Sequence, residues 1–156
     1  MGIELRDTLD ADLEVFWQHS ADVRVQRMAA ITREYHYDRE HFDDHWAKVR
    51  TDPGVLLRTV VADGAVVGHA AVFGPPEERE VTYVIGPDHW GLGIATRALA
   101  ELVRQEGTRP LHAGAAADNA ASLRVLEKCG FTPTGLARDF AMARGEEVDV
   151  LLLTLD

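Results

Sequence analysis

Glu80-Val-Thr-Tyr-Val-Ile-Gly-Pro-Asp-His-Trp-Gly-Leu-Gly-Ile-Ala95 decides how this chain is read. A strand-like run, Val81 to Ile85, is joined to a helix-like run starting near Ile94, and the joint carries Gly86, Gly91 and Gly93. A strand that feeds a helix through such a turn offers free backbone N–H groups at the positive end of the helix dipole. That is a place to hold phosphate. Bound pyrophosphate has to come within hydrogen-bond reach of the backbone, and a Cβ at Gly91 or Gly93 would obstruct it or disfavour a positive φ. The plain alternative is an ordinary glycine-containing loop before a helix. Two other nucleotide loops fail on the letters. A Walker loop needs Gly-Lys-Ser/Thr, whereas Gly93 is followed by Ile94 and Ala95. A dinucleotide fingerprint needs a third small residue at position 96, where Thr96 fits poorly, and an acidic residue about 20 residues on after a βαβ unit.

A second motif lies downstream. Asp118-Asn-Ala-Ala-Ser-Leu-Arg-Val-Leu-Glu-Lys-Cys-Gly-Phe131 reads as a helix with Asp118 or Asn119 as N-cap, apolar positions at 123, 126 and 129, and Gly130 closing it. Asn119 and Ser122 fall three apart and share a face. Together with Trp90-Gly-Leu-Gly-Ile-Ala-Thr96, this helix resembles the GNAT superfamily of acyl-CoA-dependent N-acyltransferases, and most of all its RimJ/RimL-like branch of ribosomal-protein alanine N-acetyltransferases.

Composition sets the outer bounds. At 156 residues the chain is expected to form one domain, 1–156, large enough to bury about 70% of its unfolded surface. Acidic residues number 26 against 16 Lys and Arg, a net charge of −10, so its field opposes nucleic acid and anionic membrane surfaces and suits a cationic substrate. The single cysteine, Cys129, lies on the apolar side of the second motif's helix and reads as a buried free thiol. With one cysteine, no basic apolar leader and no long apolar run, a cytoplasmic protein is expected.

The remaining elements follow from periodicity. Gly2 to Arg6 alternates as a first strand, and Asp10 is read as the cap of a helix whose Leu13, Phe16 and Trp17 form one stripe. Asp22 to Ala30 is a weaker helix. Arg39 to Arg50 carries Phe42, Trp46 and Val49 at helical spacing. His41 and His45 share a face there, but with no third ligand and no His-Glu-x-x-His pattern, no metal is expected. Val55 to Ala62 and Val66 to Phe73 form a hairpin around Asp63-Gly64, followed by a Pro-rich loop, Gly74 to Glu78. Leu111 to Ala117, Leu136 to Met142 and Val148 to Leu155 supply the later strands. The expected fold is α/β (α+β): a GNAT-like mixed, mostly antiparallel central sheet flanked by helices.

The resemblance implies the chemistry and its residues. Acetyl-CoA would be held at its pyrophosphate by the amides of Leu92, Gly93, Ile94, Ala95 and Thr96, with its pantetheine along the edge of the Val81 to Ile85 strand where it parts from Leu111 to Ala117. A backbone N–H of the Tyr83 to Ile85 segment, with Val84 and Ile85 as the cofactor-binding candidates, would meet the carbonyl oxygen. Arg97, Arg124 and Lys128 could meet phosphates or simply face solvent. Glu80 is the candidate base for the acceptor amine, with His69 behind it. Ser122 would donate to the departing thiolate, and Asn119 would bind the pantetheine or cap its helix. Met28, Tyr35 and Tyr37, with Glu80, are candidate lining of an acceptor pocket. Family members often carry Gln or Arg where Trp90 stands, which weakens any side-chain phosphate contact there. The implied activity is direct acetyl transfer to a primary amine, on a small molecule or a protein N-terminus, in a ternary complex; the alternative is a non-catalytic acyl-CoA sensor. The resemblance also allows a homodimer.

Overall fold

The computed structural model describes residues 1–29, 38–141 and 144–156. Seven strands form one sheet in the order β1-β2-β3-β4-β5-β7-β6. They are β1 (Ile3–Arg6), β2 (Leu56–Ala62), β3 (Ala65–Phe73), β4 (Arg79–Ile85), β5 (Leu111–Ala116), β6 (Thr132–Ala141) and β7 (Glu146–Leu155). The helices are α1 (Asp12–Ala21), α2 (Val23–Ala29), α3 (Arg39–Thr51), α4 (Ile94–Gln105) and α5 (Ala120–Lys128). Every neighbouring strand pair is antiparallel except β4 with β5. The sheet is therefore mixed and mostly antiparallel, as the sequence leads one to expect.

That one parallel pair is short. β4 and β5 are in register only at Arg79 with Leu111 and Glu80 with His112. Beyond those rungs each strand continues, held from its outer side: β4 by β3 up to Ile85, β5 by β7 up to Ala116. The sheet thus opens along the inner edges of β4 and β5.

Each face of the sheet is covered by its own helices, and period-two alternation decides which β4 side chain meets which layer. Val81 and Ile85 join a core with Val60, Ala70 and Val72 from the neighbouring strands, Ile94, Ala98, Leu99 and Leu102 of α4, and Leu126 of α5. On the other face Phe16 of α1 packs with Phe42 and Trp46 of α3. The His69 ring lies 4.8 Å from Phe16 and 4.8 Å from Trp46 between ring centroids. His69 is the cross-strand partner of Val84, so Glu80, Thr82 and Val84 face the α1/α3 side.

Several boundaries move, each for a local reason. Asp10 does not cap α1: the cap position is Ala11, and the Asp12 carboxylate instead accepts the Leu9 N–H at 2.8 Å. The Pro-rich loop contains a 3₁₀ turn, Pro76–Glu78. The last hairpin begins earlier on both strands than its apolar letters suggest, because β6 is an edge strand whose residues are mostly exposed and which is defined by its ladder to β7.

Candidate functional site

The mouth of the opening is built by the turn after β4. Gly86 N–H donates to the Val67 carbonyl at 2.8 Å, extending the β3–β4 ladder by one bond. A 3₁₀ turn, Pro87–His89, follows, and the Trp90 indole N–H reaches back to the Ile85 carbonyl at 2.8 Å. Trp90 therefore spends its only side-chain donor on the turn itself. Gly91 and Gly93 take positive φ, 80° and 76°, and no atom lies within 4 Å of where a Cβ would stand on either. The left-handed Gly93 is the N-cap of α4 and brings no side-chain cap. Arg97 N–H bonds the Gly93 carbonyl at 3.3 Å, whereas the amides of Ile94, Ala95 and Thr96 make no hydrogen bond among the described residues. Three unmet donors at the positive end of a helix, beside open space over two glycines, could hold a diphosphate.

Those amides, Leu92, the end of β4 and the start of α4 lie together at this turn. Leu92 is exposed, and Val84 and Ile85 close the strand just before the turn. Gly68 permits this arrangement: a Cβ there would stand 2.1 Å from the Val84 carbonyl oxygen, so β3 approaches β4 as only a glycine allows. The sequence signal was present, an isolated glycine inside a strand pattern, but the strand it presses against was not legible.

Across the opening, α5 presents its first turn. Asn119 Oδ1 accepts the Ser122 N–H at 3.2 Å, and Asn119 Nδ2 donates to the Met28 carbonyl at 2.9 Å. Asn119 therefore caps α5 and fastens the end of α2, with one amide hydrogen to spare. Arg144 grips the neighbouring Arg27 carbonyl at 3.0 Å. The Met28 side chain is 36% exposed at this junction. Tyr35 and Tyr37 lie outside the described residues.

Ser122 has a partner that sequence reasoning did not supply. The Tyr83 hydroxyl on β4 lies 2.8 Å from Ser122 Oγ, a hydrogen bond between residues 39 apart that joins the two sides of the opening. Burial pushes the Tyr83 hydroxyl above its usual value, against the opposing effect of the Ser122 hydrogen bond.

The acid–base candidates are spread along the acceptor side of β4. Glu80 is exposed, and its carboxylate makes no hydrogen bond or ion pair among the described residues. It stands at the closed end of the opening, four residues before Val84, or about 13 Å at ~3.3 Å per residue. His69 sits directly beside Val84 but is wedged between Phe16 and Trp46. His19 of α1, which the sequence did not single out, presses its imidazole tip against Gly86, where a Cβ would lie 2.3 Å from Nε2. Its Nδ1 is buried without a hydrogen-bond partner among the described residues. Burial, reinforced by His89, lowers its pKa against the pull of Asp22 and Asp88.

Other candidate residues are occupied or exposed as follows. Arg97 donates to the Met1 carbonyl at 2.6 Å, and Arg124 and Lys128 are exposed on α5. Cys129 is half-buried rather than fully buried, its Sγ 3.5 Å from the Thr96 carbonyl. His41 bonds Asp38 at 2.8 Å, and no group of three metal-ligating side chains occurs among the described residues. Concavities of about 220 Å³ and 460 Å³ are lined by residues of α1, α3, β2 and their flanking loops and by none of the candidate residues. No helix among the described residues is long and apolar enough to cross a membrane.

Known proteins share this architecture. A family model described as acetyltransferase (GNAT) domain matches residues 3–132. The ribosomal-protein-alanine N-acetyltransferase of Brucella melitensis is 28% identical, with a TM-score of 0.81 over 97% of this chain and 98% of that one. The spermidine N-acetyltransferase of Vibrio cholerae, solved with CoA and spermine, superposes at a TM-score of 0.85 over 98% and 94% of the two chains; at 17% identity that likeness speaks for the fold. An uncharacterised N-acetyltransferase, p20 of Bacillus licheniformis, is 31% identical over 80 residues, 49% of this chain, which spans only 45% of that relative's length.

Proposed function

The chain belongs to the acetyltransferase (GNAT) domain family, and on that premise we propose that it is a single-domain enzyme transferring acetyl from acetyl-CoA directly to a primary amine within a ternary complex. The observation that carries this reading is the row of unmet amides at Ile94, Ala95 and Thr96 beside the open space over Gly91 and Gly93. With Leu92 and Gly93 these amides receive the pyrophosphate. The pantetheine then follows the inner edge of β4 into the opening, past the first turn of α5.

At the thioester, a backbone N–H of the Tyr83 to Ile85 segment that faces the inner edge of β4 takes the charge that develops on the carbonyl oxygen. The neutral amine approaches from the α1/α3 side, with Met28 contributing lining, and attacks the acetyl carbon. Its proton leaves through water to Glu80, because the ~13 Å separation along β4 rules out direct transfer. Ser122 donates to the departing sulfur. No acyl-enzyme is involved: burial raises the Cys129 thiol above its ordinary pKa, and its sulfur is turned to the Thr96 carbonyl. The net charge of −10 favours a cationic acceptor. A polyamine, as bound by the spermidine N-acetyltransferase neighbour, and a ribosomal-protein alanine, as named for the Brucella melitensis neighbour, are the acceptor classes to try. A reducing cytosol suits a chain with one cysteine.

The test is release of free CoA thiol from acetyl-CoA in the presence of spermine or an alanine-starting peptide. Wild-type protein is expected to release thiol with at least one of them, and Glu80→Gln to lower kcat/KM about 100-fold while binding acetyl-CoA as before. Binding of acetyl-CoA with no thiol release from either acceptor would leave the sensor as the better reading.

A further inference from the structure

The Tyr83 hydroxyl joins β4 to α5 across the opening through Ser122. Tyr83 Oη lies 2.8 Å from Ser122 Oγ and 3.5 Å from the Ser122 carbonyl oxygen. Acidity decides which hydroxyl donates. A phenol, with an ordinary pKa of about 10, is a far stronger donor than an alkyl alcohol, so the Tyr83 O–H donates and Ser122 Oγ accepts. Ser122's own hydrogen is then left over. A serine early in a helix commonly returns that hydrogen to the carbonyl four residues back, but Ser122 makes no such bond among the described residues.

We propose that Tyr83 is a positioning residue for thioester cleavage, holding Ser122 Oγ as an acceptor so that the serine hydrogen is presented to the departing sulfur. The inference rests on the acetyltransferase reading above. In the step it serves, the amine nitrogen bonds to the acetyl carbon, the C–S bond breaks, and its electron pair leaves on the CoA sulfur. The amine proton goes by way of water to Glu80. Full proton transfer from the hydroxyl pair to sulfur would run uphill, since a thiol has a pKa of about 8.5 and a phenol about 10, and burial raises Tyr83 further. The pair therefore gives the thiolate a hydrogen bond, sharpened by Tyr83 polarising Ser122, and neither residue loses its proton. The sulfur is protonated afterwards from water. Tyr83 flanks the amides of Val84 and Ile85, so the same strand segment meets both ends of the thioester as it breaks.

The experiment is a double-mutant cycle on the full chain with acetyl-CoA and whichever of spermine or the alanine-starting peptide the wild type acetylates. Tyr83→Phe keeps the ring and is expected to lower kcat about tenfold, with KM for acetyl-CoA within about twofold. Ser122→Ala should lower kcat about 30-fold, and the double variant should fall no further than Ser122→Ala alone, because Tyr83 acts only through Ser122. Additive losses, an unchanged kcat in Tyr83→Phe, or a loss confined to acetyl-CoA binding would each overturn the assignment. A fluorinated tyrosine at position 83, a stronger donor of nearly the same size, should hold or raise kcat; a fall to the level of Tyr83→Phe would also overturn it, and this variant serves if Tyr83→Phe does not fold. Wild-type protein that binds acetyl-CoA but releases no thiol refutes the transferase reading itself, which separates that failure from a failure of the Tyr83 assignment alone.

Discussion

At Asp12 a buried carboxylate collects donors from three parts of the chain, whereas at the first turn of α4 three backbone donors stand without acceptors. The Arg6 guanidinium meets both Asp12 oxygens, at 2.7 Å and 3.0 Å, and the Leu9 N–H and the Thr59 hydroxyl each add a bond of 2.8 Å. The Asp12 side chain is only 4% exposed, so each of these bonds offsets desolvation. Ile94, Ala95 and Thr96 face no such demand, because the positive-φ glycines beside them leave the space open. The Asp12 carboxylate is saturated within the chain. The amides left unmet at the open helix end are the ones proposed to meet a ligand.

Breaking the saturated region should have the largest effect. Asp12→Ala leaves the Arg6 guanidinium with only its 3.0 Å bond to the Asp7 carbonyl and the Thr59 hydroxyl with only its 2.9 Å bond to Thr8. A loss of about 3 kcal/mol is expected, or roughly 6–12 °C in Tm at ~2–4 °C per kcal/mol. The rise in Tm on adding acetyl-CoA should survive. Burial alone would push the Asp12 carboxyl up, but the Arg6 fork, the Leu9 N–H and the Thr59 hydroxyl outweigh it and hold the pKa at about 2. Because this pKa is depressed, the stabilisation is present above the unfolded-state value of about 3.9 and disappears as pH falls through about 2. Thermal scans from pH 5 to pH 2 should therefore show a decline in the wild type whose Asp12 component is missing from Asp12→Ala.

Gly93→Val attacks the open region and should give the opposite pattern. A Cβ at Gly93 meets nothing in the free protein, so the folding cost is that of a left-handed side-chain-bearing residue, about 1–2 kcal/mol. Acetyl-CoA affinity should fall about 100-fold, since the Cβ enters the space the pyrophosphate needs. At about 100 times its dissociation constant, acetyl-CoA should add about 2.7 kcal/mol to wild-type stability and almost nothing to this variant. An undiminished shift in a folded variant would move phosphate binding away from α4 and dissolve the contrast with Asp12.

The same contrast explains what could be read from the letters. The turn between β4 and α4 was legible because its signals are local: glycine spacing, a strand period and a helix period lie within one short stretch. The Asp63-Gly64 hairpin was legible for the same reason, and both residues take positive φ, 49° and 84°. Asp10 and Asp12 look alike as helix caps in sequence. Only Arg6 on β1 and Thr59 on β2, the latter 47 residues away, select Asp12. Tyr83 with Ser122, Gly68 with Val84 and His19 with Gly86 are likewise products of topology, and no local pattern announces them. β6 was half-legible, because edge pairing rather than an apolar face defines it.

The smallest expected effect, at Cys129, sharpens the contrast from the side of the open region. Its thiol lies 3.5 Å from the Thr96 carbonyl, behind the amides proposed to bind phosphate, and burial holds its pKa above the ordinary value. A thiol kept protonated at neutral pH is a poor nucleophile, and an S–H···O contact of this length is weak. Cys129→Ala should therefore cost less than about 1 kcal/mol in stability and leave kcat and KM for acetyl-CoA within about twofold. Steady-state thiol release checks this, together with mass spectrometry of protein incubated with acetyl-CoA, in which no acetylated Cys129 should accumulate. Loss of turnover with acetyl-CoA binding intact would make Cys129 an acyl carrier. The first turn of α4 would then hold its ligand beside a nucleophile, and transfer would run in two steps rather than one.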